Sequence, residues 1–279
     1  MARRIAVRPL YSMLFYQPMG IRNSSMKFTD QVLSHNLVAY AKDYPHGTVE
    51  AEHSHRCAQL LHSLSGVIRI EAAQGSWVIP PSKGMWIPAG VPHSLHISGA
   101  VKVRTLFVDP LARADLPNRC TVVDISLLLK ALIVEAINVP LERPTGSRDE
   151  RIIELILDEL RRLKGLSFYA PTPTSADLKQ LCHDISQRIA HPWTTADIAG
   201  WLNVSERTVL RRFQQELGMT FSEWLRQKRL QYALESLGMG HSVLDTALAI
   251  GYESPSAFSA MFKSRLGVSP RDYFPSLSY

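Results

Sequence analysis

The clearest structural pattern in the chain lies at residues 195–218, TADIAGWLNVSERTVLRRFQQELG. Its apolar residues recur at helical spacing on both sides of a short polar turn, Asn203–Ser205. Ser205 is a favourable N-cap for the second helix, and Gly218 is a favourable helix stop. Ala199 is small enough to let the two helices approach closely. The pattern predicts a helix-turn-helix unit.

A second unit of the same form follows at residues 243–267, VLDTALAIGYESPSAFSAMFKSRLG. Small alanines lie in its first short helix, Gly251 makes its turn, and phenylalanines face inward from its second helix. A capping box at Thr220 and Glu223 predicts a long helix that ends near Gly238 and joins the two units. A plain helical bundle would explain one such unit, but hardly two in tandem. We therefore predict binding to double-stranded DNA.

The outer faces of the two second helices supply the candidate DNA contacts. Arg207 and Arg211 are four residues apart and therefore neighbours, and an arginine fork on that face can bind a guanine edge. The corresponding face of the second unit is poor in donors and suits phosphate contacts better than base readout. The candidate DNA-binding residues are Arg207, Thr208, Leu210, Arg211, Arg212, Pro255, Ser256, Ala257, Ala260 and Lys263.

The run GYESPSAFSAMFK at 251–263, followed by GVSPRDY at 267–273, resembles the signature of the AraC/XylS family of transcriptional regulators. The resemblance covers roughly residues 175–275. It implies an all-helical domain that places two recognition helices in adjacent major-groove segments. It also implies base contacts for Arg207, Leu210 and Arg211, and weaker readout by the second unit because Ala260 is apolar.

The first half of the chain has a different pattern of residue types. Between residues 38 and 108, short segments rich in Val, Ile, Leu and Trp alternate with Gly and Pro, which is typical of a β-sandwich or barrel. Two histidine motifs lie in this part: Gly47-x5-His53-x-His55-x3-Gln59-x6-Gly66, and Pro88-x-Gly90-x2-His93. They resemble the two motifs of the cupin family, with Gln59 where glutamate is usual.

The cupin resemblance implies a jelly-roll barrel with these histidines inside. Residues two apart on a strand face the same way, so His53 and His55 can both point inward. With His93 and Gln59 they could bind Zn²⁺, Ni²⁺, Mn²⁺ or Fe²⁺. The alternative is a metal-free pocket in which the same side chains bind a small organic effector, since glutamine lacks the negative charge of glutamate.

The chain is predicted to be an α+β protein of two domains. Its predicted parts are a loose tail at 1–30, a cupin-like sensor barrel with jelly-roll topology at 31–125, a helical pair at 126–164, a linker at 165–175, and the all-α DNA-binding domain at 176–279. Met26 is an alternative start. The helical pair has broad apolar faces and is the candidate homodimer interface.

Composition limits the classes of protein to which the chain can belong. The formal charge is +6, but the part from Ala170 onward is almost balanced, so charge alone would indicate the wrong half as the DNA binder. Three separated cysteines suit a reducing cytoplasm, and no apolar run reaches the length of a membrane span. We expect a cytoplasmic repressor or activator that responds to a small-molecule effector and is able to contact RNA polymerase.

A second hypothesis is a metal-dependent cupin enzyme fused to a DNA-binding domain. Turnover needs open coordination positions and a group that transfers protons. Glu50 and Glu52 lie near the histidine motif, but the sequence contains no recognisable catalytic set. We therefore predict that the chain is not an enzyme.

Overall fold

The computed structural model describes residues 35–81, 83–112, 115–166 and 169–274. The predicted tail at 1–30 and the alternative start at Met26 lie outside the described residues. No described helix combines the length and the apolar character that a membrane crossing requires. The prediction of a sheet-rich first domain and an all-helical second domain is confirmed.

Strands that pair antiparallel form a single sheet in the first domain. They are β1 (Leu37–Tyr44), β2 (Val49–His53), β3 (Ala58–Ala72), β4 (Gly75–Ile79), β5 (Lys83–Ile87), β6 (His93–Val108), β7 (Thr121–Asp124), β8 (Gly165–Leu166) and β9 (Tyr169–Pro171). The two long strands, β3 and β6, pair with each other and form the centre of the sheet.

The pairing corrects the predicted closed barrel. One half of the β3–β6 pair is flanked by β1, β5, β7 and β8, and the other half by β2, β4 and β9. The register between β3 and β6 shifts twice between Ser63 and Val67. Such bulges bend strands. Among the described strands the hydrogen bonds do not close into a ring, so the sheet is open and the two long strands belong to both halves.

Two helices cover the outer face of the first half of the sheet. They are α1 (Leu127–Ala136), capped by Ser126, and α2 (Arg148–Leu160), capped by Ser147. Side chains alternate along the strands, so Leu60 packs against these helices whereas Leu61 belongs to the core on the inner face. The predicted helical pair therefore exists and packs on its own sheet.

Residues 165–175 were predicted to form a linker, but part of this segment is built into the sheet. Tyr169–Pro171 pairs with β4, and the Tyr169 ring stacks on Trp77 with 5.1 Å between ring centres. A proline is tolerated there because β9 is an edge strand. A Cβ on Gly75 would lie 2.5 Å from the backbone oxygen of Ala170, so the β4–β9 approach needs a glycine.

The second domain consists of helices, most of which begin at a Ser or Thr cap. They are α3 (Ala176–Gln187), α4 (Thr195–Leu202), α5 (Glu206–Leu217), α6 (Phe221–Gly238), α7 (Val243–Ala249), α8 (Pro255–Leu266) and α9 (Pro270–Tyr273). The α4–α5 turn contains Asn203 in the left-handed conformation, at φ 53°. Capping boxes begin α4 and α6. Both predicted helix-turn-helix units are present, as α4–α5 and α7–α8.

Helix α6 joins the two domains as well as the two units. Gln231 donates to the backbone oxygen of Ser76 at 2.7 Å and accepts from its hydroxyl at 3.1 Å. Trp224 donates to the backbone oxygen of Pro171 at 3.2 Å, and Arg69 lies 3.6 Å from Glu235. Apolar side chains of the two domains form one continuous core. The DNA-binding domain therefore rests on strands β3 and β4 of the sensor sheet.

Candidate functional site

Helix α5 presents the arginine face that the sequence predicts. Arg207, Leu210 and Arg211 are exposed. The Thr208 hydroxyl lies 3.0 Å from that of the cap residue Ser205, so this side chain is turned towards the beginning of the helix. The buried side of α5 is formed by Val209, Phe213 and Leu217. The two guanidinium groups are therefore held out on a helix whose other face is anchored in the core.

Arg212, which the sequence predicts as a DNA contact, is bonded to other residues of its own domain. Its guanidinium donates to both carboxylate oxygens of Asp177 at 2.7 Å and to the Ser175 hydroxyl at 2.8 Å. It also lies 3.4 Å from Glu216. These bonds tie the beginning of α3 to α5 and hold the pKa of Asp177 well below its usual range. We therefore replace the predicted DNA contact by a positioning role within the domain.

Gln214 was not predicted, yet it extends the exposed face of α5. It lies three residues after Arg211 and seven after Arg207, and its side chain is exposed. These spacings place the three side chains on one face of a helix. A glutamine amide can bind an adenine edge. The helical period could have identified this residue from the sequence.

The face of α8 differs from that of α5, as predicted. Ser256, Ala257 and Ala260 are exposed, and Pro255 occupies the first turn of the helix. Lys263 is exposed one turn further along. Hydroxyl, methyl and ammonium groups offer no planar fork for a base edge, whereas Lys263 carries a positive charge that suits a phosphate.

In the sensor domain, three histidine side chains form a cluster. The ring centres of His53 and His93 are 4.5 Å apart, and His55 lies 4.9 Å from His53 and 5.5 Å from His93. One candidate ligand atom from each ring lies within 4.8 Å of the other two. The structure thus brings the three predicted histidines together, although His93 is far from His53 and His55 in the sequence.

The route by which the histidines meet differs from the sequence prediction. His53 and His93 are direct partners on the hydrogen-bonded strands β2 and β6, rather than residues facing each other across a barrel. His55 follows the end of β2 and lies in the connection to β3. Its backbone oxygen accepts from the Gly90 amide at 2.7 Å, which joins the two histidine motifs.

Backbone carbonyls determine the tautomers of two of the rings. His53 Nδ1 lies 2.8 Å from the oxygen of Ala51, and His93 Nδ1 lies 2.9 Å from the oxygen of Val91. A carbonyl oxygen only accepts, so each Nδ1 carries the proton. In the neutral form of either ring the lone pair is therefore on Nε2. Metal-binding histidines are commonly oriented by such a bond.

Several polar atoms at the cluster have no hydrogen-bond partner among the described residues. They are Nδ1 of His55, Nε2 of His93 and Oε1 of Gln59, all buried. Gln59 pairs directly with Phe107, whose ring lies 5.1 Å from that of His55, so Gln59 is on the cluster side of β3. Buried polar atoms are normally satisfied. These atoms therefore favour a ligand at this site.

Burial favours the neutral form of two of the imidazoles, those of His55 and His93. It lowers the pKa of His55 to about 4, with further contributions from His53 and His93. Burial also lowers the pKa of His93, against the opposing effect of its bond to Val91. Neutral rings are the form that binds a metal ion.

The donor set fits a small divalent ion. Nitrogens 2.0–2.1 Å from a tetrahedral Zn²⁺ would be about 3.3 Å apart, compared with at most 4.8 Å between the candidate ligand atoms of this cluster. Gln59 would supply a weaker oxygen ligand. The nearby Glu50 carboxylate is ion-paired with Lys42 and accepts from the Tyr44 hydroxyl at 2.8 Å. Those bonds leave Glu50 poorly placed as a free proton acceptor.

Comparison with known proteins identifies the class of this chain. The family model described as an AraC-like ligand binding domain matches residues 34–189, more than half of the chain, and the model described as a helix-turn-helix domain matches residues 198–276. The chain belongs to the AraC family of transcriptional regulators. As an AraC-family member it is a DNA-binding regulator with an effector-binding first domain.

Two curated regulators align with most of this chain. The HTH-type transcriptional regulator NimR of Escherichia coli (strain K12) is 30% identical over 226 residues, which cover 81% of this chain and 82% of NimR. The regulator GadX of the same organism is 27% identical over 252 residues, covering 85% of this chain and 84% of GadX. A solved structure of ToxT from Vibrio cholerae covers 88% of this chain and 100% of its own, at 16% identity and a TM-score of 0.37.

Proposed function

We propose that this AraC-family regulator binds its operator through α5 and α8 and responds to an effector or metal ion at the histidine cluster. The observation that carries the proposal is the histidine cluster with its buried, unpartnered polar atoms, in a chain that also presents two exposed arginines on a recognition helix. The proposed sensor residues are His53, His55, Gln59 and His93.

In this proposal the two recognition helices make different kinds of contact with DNA. Helix α5 reads base edges with side chains near its beginning and along its exposed face. These side chains are Arg207, Thr208, Leu210 and Arg211. Helix α8 fits closely into the groove because the side chains on this face are small: Pro255, Ser256, Ala257 and Ala260. Lys263 binds a phosphate. Recovery of genomic DNA bound to the full-length protein tests sequence-specific binding and supplies the operator for every later measurement.

Removing the Lys263 charge is expected to weaken binding to all duplexes alike. A single phosphate contact contributes to affinity without reading sequence, so the Lys263→Ala variant should lose similar factors on operator and random DNA. Its slope of log affinity against log salt should flatten by about 0.9. Fluorescence anisotropy at several salt concentrations measures both quantities. A loss confined to the operator would show that Lys263 reads a base.

The alternative to an effector site is a catalytic site. An enzyme would need a proton-transfer group at the cluster, and Glu50 is already paired with Lys42 and Tyr44. We propose a sensor without turnover. Incubation of the Fe²⁺- or Mn²⁺-loaded protein with small ketones, diketones and sugars tests this, and any multiple-turnover product would overturn it.

We also propose that the regulator is a homodimer through α1. Leu127, Leu128 and Val134 are 88%, 48% and 43% exposed on this helix, although α1 packs its other face on the sheet. A second copy would cover this strip and would place two DNA-binding domains on two half-sites.

Charges on the α1 strip are expected to dissociate the dimer. In a sedimentation experiment at micromolar concentration, the wild-type mass should be about twice 31.3 kDa, and a Leu127→Glu, Val134→Glu double variant should sediment at 31.3 kDa. Leu111→Glu is the control, because Leu111 is 91% exposed outside α1. A wild-type protein that sediments at 31.3 kDa with and without operator would contradict the dimer.

We also propose that the regulator acts on RNA polymerase and is located in the cytoplasm. An operator-bound regulator acts on transcription through the polymerase, and the three cysteines, all free, suit a reducing compartment. Run-off transcription with purified polymerase on the recovered operator tests the first point and gives the sign of regulation. Cell fractionation tests the second.

A further inference from the structure

Arg229 lies in the middle of α6 and contacts the segment that leads into the first helix-turn-helix unit and the turn of the second. Its Nε donates to the backbone oxygen of Ile189 at 3.2 Å, and its Nη2 donates to that of His191 at 3.0 Å. Both oxygens belong to the segment between α3 and α4, which leads into the first unit. The guanidinium carbon lies 6.0 Å from the centre of the Tyr252 ring, in the turn of the second unit.

The turn of the second unit also touches this segment directly. Gly251 has φ +82°, and a Cβ there would collide with the backbone oxygen of Ala190. Tyr252 follows at once, and its ring packs against Phe258 of α8 with 6.0 Å between ring centres. The segment that Arg229 holds is therefore the one on which the turn of the second unit rests.

The chemistry of this contact needs an arginine. A guanidinium presents several donors in a rigid plane, so it can hold two carbonyls and stack on a ring at the same time. A lysine keeps the charge but offers a single flexible ammonium group. Exchange of Arg229 for lysine therefore removes the clamp without changing the attraction of the domain for phosphates.

The distance between α5 and α8 matters because DNA is periodic. Two recognition helices on one face of a duplex enter major-groove segments about 34 Å apart. One inserted base pair moves the second segment by about 3.4 Å along the axis and rotates it by about a tenth of a turn. A rigid pair of units would detect this change, whereas a loose pair would adapt to it.

We propose that Arg229 is a positioning residue for DNA binding, which sets the spacing and angle of α5 and α8 by holding segment 189–191 and Tyr252 together. The proposal rests on the proposed function, in which both helices bind DNA.

The test uses the full-length protein and two duplexes. One is the operator recovered from genomic DNA, and the other has one base pair inserted between its two protected segments. We expect the wild type to bind the second duplex at least about tenfold more weakly. The Arg229→Lys variant should bind the operator about tenfold more weakly than the wild type, and its ratio between the two duplexes should fall to about threefold or less.

Arg226→Lys is the matched control, since Arg226 is an exposed arginine one turn earlier on the same helix. It should keep the wild-type ratio. Thermal unfolding is measured for each variant. If Arg229→Lys is unfolded at the assay temperature, Tyr252→Leu takes its place, because leucine keeps an apolar side chain against Phe258 and removes the ring beneath the guanidinium.

An equal loss of affinity on both duplexes would overturn the proposal, since it would show a contribution to stability alone. An unchanged affinity on both duplexes would overturn it as well. A wild-type footprint that protects only one segment would instead contradict the proposed function, and it is seen before any variant is made. The two failures are therefore distinguishable.

Discussion

Replacing Arg211 by alanine is expected to cost about 1–3 kcal/mol of binding free energy on the operator and to relax specificity at one base position. Arg211 is exposed on α5, and the helix is anchored by the buried Phe213 and Leu217. A fork held in this way can bind both acceptors of a guanine edge. Competition binding with the operator and with its singly substituted variants measures the effect.

Two comparisons make the Arg211 result interpretable. Arg119→Ala removes the same charge from an exposed position of the sensor domain and should leave specificity unchanged. Random DNA should lose less affinity than the operator in the Arg211 variant, because a base contact contributes only at the right sequence. If operator and random DNA were affected equally, Arg211 would be a phosphate contact and the base readout would have to come from Arg207 or Gln214.

Replacing His93 by alanine is expected to abolish metal binding. His93 is almost completely buried, its Nδ1 is held by Val91, and its Nε2 has no partner among the described residues. We expect about one equivalent of Zn²⁺ in the reconstituted wild-type protein and less than about a tenth of an equivalent in the variant. Elemental analysis of protein purified without a histidine tag measures the stoichiometry.

His96→Ala is the matched control for His93. His96 lies on the same strand but faces outward, where its Nε2 is 3.4 Å from Glu71. It should retain the wild-type metal content. If the wild type itself held less than about a tenth of an equivalent of Zn²⁺, Ni²⁺, Mn²⁺ or Fe²⁺ after reconstitution, the metal would be excluded. The histidines would then be hydrogen-bonding groups of a metal-free effector pocket.

The helical domain was predictable because its signals are local. A cap such as Ser205, a stop such as Gly218 and an apolar period of 3.6 residues each act within one helix, so the sequence alone determined both helix-turn-helix units. Exposure of Arg207 and Arg211 follows from the same period. Gln214 obeys it too and could have been included.

The sensor domain was predictable only in part. The histidine spacing indicated which side chains would meet, but strand pairing is non-local, and no local signal says that β3 and β6 continue through two register shifts and serve both halves of the sheet. The closed barrel was wrong for this reason. The partnership of His53 with His93 on neighbouring strands likewise depends on a register set between distant residues.

The class of protein, the two domains, the two helix-turn-helix units and the three histidines were all predictable, because caps, periods and motif spacings are local features of the sequence. The partners of each polar side chain, in contrast, depend on the tertiary fold. Arg212 pairs with Asp177 and Glu216 because they are close in space, and residues 169–171 join the sheet because β4 offers them an edge. Such partners come from elements distant in sequence, and a side chain's role follows from its partners.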